Sequence, residues 1–333
     1  MGSNNPHADA WRLRSRDRQE AGRRSKVMPW FLRLAVLGSI AMAQEHGVFK
    51  TDISLVHVDA EVTDGMRMLT GFHKEDFRVF DNKQQQTILY LSQEETPLDL
   101  ILLFDVSGSM DPKLEKLARS AHAALAQLSQ GDRVAVMVFS GSSTIVEPFT
   151  ANMQAVEQSI NEKVLGKAEG GTHILRAVSD AAAYFMKQTR TESRRAVLIM
   201  TDNHGQPSGH RNTVVRDLWE ADALLCGLEL RAAGESAMLG VRSAISPGAA
   251  FMNMENMTSV VEETGGDLIK GHDPGPDFEE MIRRLRLRYM LVYALPKGKP
   301  GERRTIKVEL SEDVRKQNPK ARVRARDGYY LPK

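Results

Sequence analysis

Cysteine is almost absent from these 333 residues: only Cys226 is present. One thiol excludes an internal disulfide framework and any zinc site built on cysteines. Aromatic residues are sparse at 6%. Long apolar runs are missing too. The longest near the N-terminus, from Leu34, covers about ten residues, short of the ~20 that cross a bilayer. Charge of one sign is lacking in the body of the chain. Of 45 Lys/Arg and 43 Asp/Glu, eight and three fall in residues 1–43, so residues 44–333 carry a net −3. That balance excludes a nucleic-acid-binding body. No internal repeat is visible, and no P-loop, Ser-His-Asp order or Cys-His arrangement.

What is present begins with a leader. A basic run (Arg12 to Lys26) precedes an apolar stretch ending in Ala41-Met42-Ala43, the small-x-small pattern of a secretory signal. The expectation is an exported chain cut after Ala43, periplasmic, envelope-associated or extracellular. An uncleaved leader would be its only membrane contact. Met28 offers an alternative start, which would leave residues 1–27 as an over-extended, disordered segment. A single thiol suits export to an oxidising compartment.

Period-2 patterning over residues 47–96 reads as β-structure. Ile53 and Leu55 alternate, then the phase shifts to Val56, Val58, Ala60 and Val62, which predicts a bulge or a strand apolar on both faces. Phe77/Val79 and Ile88–Leu91 predict two further strands. At Pro97 the pattern changes. Leu98–Phe104 (interrupted only by Asp99), Val134–Phe139 and Ala196–Met200 are apolar runs, the mark of strands buried on both faces of a parallel sheet, and Leu224–Leu230 reads as a further strand. Helical periodicity alternates with them, as in Leu114, Leu117, Ala118, Ala121 and Leu125, predicting a doubly wound α/β fold over residues 97–287. Gly265-Gly266 reads as the C-cap of a helix from Met254. Period-2 strands return at Tyr289–Tyr293, Ile306–Leu310 and Val323–Ala325. The segments 44–96 and 288–333 are each too small to be stable alone. They are expected to form one small all-β domain into which the α/β domain is inserted.

One loop carries chemistry. Asp105-Val106-Ser107-Gly108-Ser109 follows the apolar run 98–104, at the carboxyl end of a strand, where open α/β sheets bind ligands. It offers a carboxylate and two hydroxyls, hard donors suited to Mg²⁺, Ca²⁺ or Mn²⁺. Gly170-Gly171-Thr172 and Thr201-Asp202-Asn203 stand at the same predicted, solvent-facing rim. Helix capping and turn formation by Asp105 and Ser107 is the structural alternative, but it needs neither Thr172 nor Asp202.

Asp105-x-Ser107-x-Ser109, Thr172 and Asp202, in that order, resemble the metal-ion-dependent adhesion site of von Willebrand factor A-type domains. With Val62-Thr63-Asp64, Glu75–Phe80 and Arg326–Tyr330 in the flanks, the chain is similar to the secreted acidobacterial group of that family. The resemblance implies a divalent cation held directly by Ser107 and Ser109 and directly or through water by Thr172. Asp105 and Asp202 would act mostly through water. An open coordination position would take an acidic group of a protein partner. Asn203 stands where many members have glycine. The implied function is capture of a partner, without catalysis. A structural envelope subunit with a structural metal is one alternative. A metal-dependent phosphatase with Asp105 as nucleophile is another, but Ser107 replaces the second carboxylate that haloacid-dehalogenase-like enzymes carry.

Four weaker features read as structural. His204 is expected to be a solvated loop residue and Cys226 a buried small hydrophobe. Arg283-Arg284-Leu285-Arg286-Leu287-Arg288 reads as a solvated helix end complementing the dipole. Met252, Met254 and Met257 read as packing residues.

Overall fold

The computed structural model describes residues 54–332 except 94–95, 166–170, 190–191, 207, 231–256 and 272. The expected leader, Gly170, Met252 and Met254 lie outside the described residues. Five strands come first: β1 (Leu55–Asp64), β2 (Arg67–Met68), β3 (Phe77–Asp81), β4 (Gln84–Gln86) and β5 (Ile88–Ser92). Strands and helices then alternate: β6 (Leu98–Asp105), α1 (Asp111–Leu125), β7 (Arg133–Phe139), β8 (Ser143–Thr150), α2 (Met153–Ser159), α3 (Ile174–Met186), β9 (Arg194–Thr201) and α4 (Arg211–Glu220). After them come β10 (Ala223–Leu230), α5 (Met257–Thr264), β11 (Leu268–Gly271) and α6 (Pro274–Arg286). The chain closes with β12 (Tyr289–Ala294), β13 (Arg303–Leu310), α7 (Glu312–Gln317), β14 (Ala321–Ala325) and β15 (Gly328–Tyr330).

The α/β part is a six-stranded sheet in the order β11-β10-β9-β6-β7-β8, parallel throughout except for the β7/β8 pair. Every residue of β6, β9 and β10 is buried, as continuous apolar runs predict. Alternate side chains divide between the faces. Leu100, Leu102 and Phe104 meet the apolar stripes of α1 and α6, including Leu117, Phe278 and Ile282. Ile101 and Leu103 meet α3, α4 and α5 through Val178, Phe185, Leu218 and Val260. Gly265 ends α5 at φ 77°. Its N–H donates to Glu262 and that of Gly266 to Val261, the paired bonds of a Schellman cap.

Strands from the two chain ends pair with each other. One sheet runs β14-β1-β12-β5 with β2 beside β1, and a second runs β15-β13-β3-β4. Val58, Val62, Phe77, Val79, Leu291, Tyr293, Val308 and Tyr329 are among the buried residues of the cluster between them. The predicted bulge in β1 is not found. Its register with β12 and β14 is unbroken, Val56 to Val62 keep one phase, and Leu55 is simply exposed.

The arginine run departs from its expected solvated role. Arg283 is exposed, but Arg284, Arg286 and Arg288 are buried. Arg284 pairs with Asp267 at 2.6 Å, Arg286 with Asp132 at 3.0 Å and Arg288 with Glu61 at 3.5 Å. Arg194, at the start of β9, donates to the carbonyls of Leu285 and Arg288 at the end of α6. Buried charge persists only when paired, and the contacts of Arg194 with Asp59 of β1 and of Arg324 of β14 with Asp267 join the strands of the chain ends to the α/β part.

Candidate functional site

In this strand order β6 and β9 are neighbours whose onward connections run to opposite sides of the sheet. Ligands of open α/β sheets bind in the crevice that such a reversal leaves at the strands' carboxyl ends. Asp105 ends β6 there, Thr201 ends β9, and Asp202 follows it.

Asp105 is fully buried, at 0% exposure, and not solvent-facing as expected. Its Oδ1 accepts the Ser107 N–H at 3.0 Å and its Oδ2 accepts the Thr201 hydroxyl at 2.6 Å. Burial pushes its carboxyl above the usual value, against the pull of the Thr201 and Ser107 hydrogen bonds. With both oxygens engaged, Asp105 is a fixed anion behind the loop. Of the structural alternative, the turn is made by the Asp105 Oδ1 bond to Ser107 N–H, but the cap is not: α1 is preceded by a 3₁₀ turn (Gly108–Met110), and its N-cap Met110 offers no side-chain bond. Ser107 Oγ and the exposed Ser109 Oγ lie 3.3 Å apart.

Asp202 is buried beside them. Its Oδ2 lies 3.4 Å from Lys113 Nζ, and its Oδ1 accepts the His204 N–H at 3.2 Å. Burial works to raise this carboxyl. Hydrogen bonds from His204 and Ser109 and the charge of Lys113 outweigh it, holding Asp202 below the usual carboxylate range. His204 is an exposed loop residue, as expected, and its Nδ1 also lies 3.4 Å from Asp202 Oδ1.

Asn203 has φ 61°, the left-handed region that glycine adopts freely and asparagine tolerates, which explains how it replaces glycine here. It is buried, its N–H donates to Thr201 Oγ1 at 3.0 Å, and its Oδ1 has no hydrogen-bond partner. Thr172 is buried on the adjoining loop. Its carbonyl accepts the Gln206 N–H at 2.7 Å, and its neighbour His173 donates to the Ser140 carbonyl. A Cβ on Gly171 would lie 2.6 Å from the flexible end of the Gln206 side chain. Hydrogen bonds connect Asp105, Ser107, Ser109 and Asp202. Thr172 reaches the same rim through its backbone.

Sequence reasoning missed Thr201, Lys113 and the engagement of His204. Thr201 had a signal, as the hydroxyl that ends an otherwise apolar buried run. Lys113 had none, because a lysine in a first helical turn reads as solvated.

The donor set is two carboxylates and three hydroxyls, all hard oxygens. No cluster of three or more His, Cys, Asp or Glu suited to a metal occurs among the described residues, so an ion here would rest on few anions. The orphaned Asn203 Oδ1 supplies the fit. A buried acceptor without a donor costs about 1–3 kcal/mol, and water around a hard cation would satisfy it. Cys226 is buried in β10 as expected, its thiol pushed up to about 12 by burial. Met257 is fully buried, as the packing reading requires.

Residues 100–206 match the family model described as von Willebrand factor type A domain. No curated protein matches the chain. Among solved structures, the chain is similar to the conserved hypothetical protein BatB from Bacteroides thetaiotaomicron, at 17% identity over 56% of this chain and 97% of that one (TM-score 0.44). An aerotolerance-related membrane protein from Bacteroides fragilis is similar at 16% identity over 56% and 98% (TM-score 0.42). A von Willebrand factor type A protein from Catenulispora acidiphila is similar at 12% over 85% and 75% (TM-score 0.44).

Proposed function

We propose that this chain, which carries a von Willebrand factor A-type domain, is a binding protein that captures an acidic group of a protein partner through a divalent cation. Asp105, Ser107, Ser109, Thr172 and Asp202 would hold the ion, Mg²⁺ or else Ca²⁺ or Mn²⁺. When bound, the ion would offer a Lewis-acidic position to the partner's carboxylate. The observation that carries this reading is the meeting of Asp105 and Asp202 at the sheet's reversal point, linked through the Ser107 and Ser109 hydroxyls.

The surroundings favour an acidic partner. Lys113 places a positive charge 3.4 Å from Asp202, with His204 beside the same carboxylate. Ser107 occupies the position a phosphatase of the haloacid-dehalogenase type needs for a second carboxylate, which argues against that chemistry. Our reading also takes the protein as exported, with its α/β domain inserted into a β domain formed by both chain ends. No described helix is long and apolar enough to cross a membrane.

Calorimetric titration with Mg²⁺ and Mn²⁺, then partner capture from envelope extracts with and without EDTA, tests it. Ser107→Ala and the exposed Ser109→Ala are the cleanest variants, since Asp105→Ala would strand the buried Thr201 hydroxyl. Divalent-dependent capture should disappear in both. Capture surviving EDTA and both substitutions would leave at most a structural metal.

A further inference from the structure

We propose that Lys113 is the resident cation of the metal-free site, so that a divalent ion binds by displacing its ammonium from Asp202. The proposal rests on the metal reading above and concerns what sets the site's affinity.

Lys113 is the third residue of α1. Positive charge in a first helical turn opposes the helix dipole, which favours acids there, so local propensity does not place it. Lysine is also among the residues least often buried, yet this side chain is only 14% exposed. What it gains is Asp202, whose side chain is 1% exposed and otherwise without a cationic side chain except His204. The separation of 3.4 Å exceeds the ~2.7–2.9 Å of a tight charge-assisted bond, so the contact is loose and reversible.

The other carboxylate oxygens are committed. Asp105 holds Ser107 N–H and Thr201 Oγ1, and Asp202 Oδ1 holds His204 N–H. Asp202 Oδ2 is thus the oxygen whose partner can leave by a rotation of one flexible side chain. A divalent ion and an ammonium at this carboxylate repel each other where water screens them little. Removing the ammonium should therefore favour the ion, at a cost to the metal-free fold.

The test uses the full chain as wild type, Lys113→Met and Lys113→Arg. Each is titrated with Mn²⁺ by calorimetry and melted in EDTA and in Mn²⁺. Lys113→Met should bind Mn²⁺ at least tenfold more tightly. It should melt below wild type in EDTA, with a larger rise on adding Mn²⁺. Lys113→Arg, which keeps the charge, should bind like wild type. Wild type that binds Mn²⁺ alongside a Lys113→Met variant no tighter would overturn the role of Lys113 alone. Failure of every variant, wild type included, to bind Mn²⁺ would overturn the metal reading and this proposal together.

Discussion

Thr201 and Asp105 end adjacent parallel strands, and the threonine hydroxyl donates to the buried carboxylate at 2.6 Å while accepting the Asn203 N–H at 3.0 Å. One hydroxyl thus ties the acid of β6 to the turn that carries Asp202. Thr201→Val keeps the side-chain shape and leaves Asp105 with a lone oxygen in a dry site. Unfolding in urea at pH 7 should show a loss of about 1.5–3 kcal/mol. A change within about 0.5 kcal/mol would mean that water replaces the hydroxyl freely.

Asn203 separates a backbone requirement from a side-chain one. At φ 61°, Asn203→Ala should lose about 1–2 kcal/mol, whereas Asn203→Gly should melt at or above wild type. Thermal unfolding of both decides it. Equal losses in the two would show that the amide, and not the conformation, holds the turn.

Asp267 gives a pH dependence with a definite sign. Burial would raise its carboxyl, but the hydrogen bond from Arg284 and the charge of Arg324 hold it below the usual range. A depressed carboxylate contributes stability that is complete above the unfolded value, about 3.9, and is lost as pH falls through the lower folded value. Asp267→Asn also leaves the buried Arg284 guanidinium without that charge, so a deficit of about 3–5 kcal/mol is expected at pH 7. The gap in melting temperature should hold from pH 7 to about 4 and narrow below it. A gap that widens on acidification would contradict this pairing.

Cys226 should behave as a silent thiol. Buried in β10, with its thiol pushed up to about 12, it has neither access nor thiolate at neutral pH. Ellman's reagent should react only as denaturant unfolds the chain. Prompt labelling of native protein would show that β10 opens to solvent.

The α/β sheet was legible because its signal is local. In β6, Leu100–Phe104 is an uninterrupted apolar run, and its end places Asp105. The order of Ser107, Ser109, Thr172 and Asp202 was readable for the same reason. The buried arginines were not, because their partners are remote in sequence. Arg288 meets Glu61 across 227 positions and Arg286 meets Asp132 across 154, and nothing within a run of cations announces such distant acids. Lys113 failed likewise, since its burial depends on Asp202, 89 positions away. Leu55 and Val56 misled through phase, because an exposed apolar residue at a strand's start mimics a register slip.

The position of β1 also has a consequence for synthesis. Although it lies near the start of the described chain, it sits between β12 and β14, whose residues are made last. On the ribosome it must wait, paired only at Thr63 and Asp64 with the short β2, until residue 325 has emerged. The six-stranded sheet, complete by Gly271, can assemble well before that. The terminal sheets therefore close only after translation is nearly finished. A nascent chain stalled before β12 should expose a largely unpaired β1 to holding chaperones, and release of the finished chain should remove it from their reach.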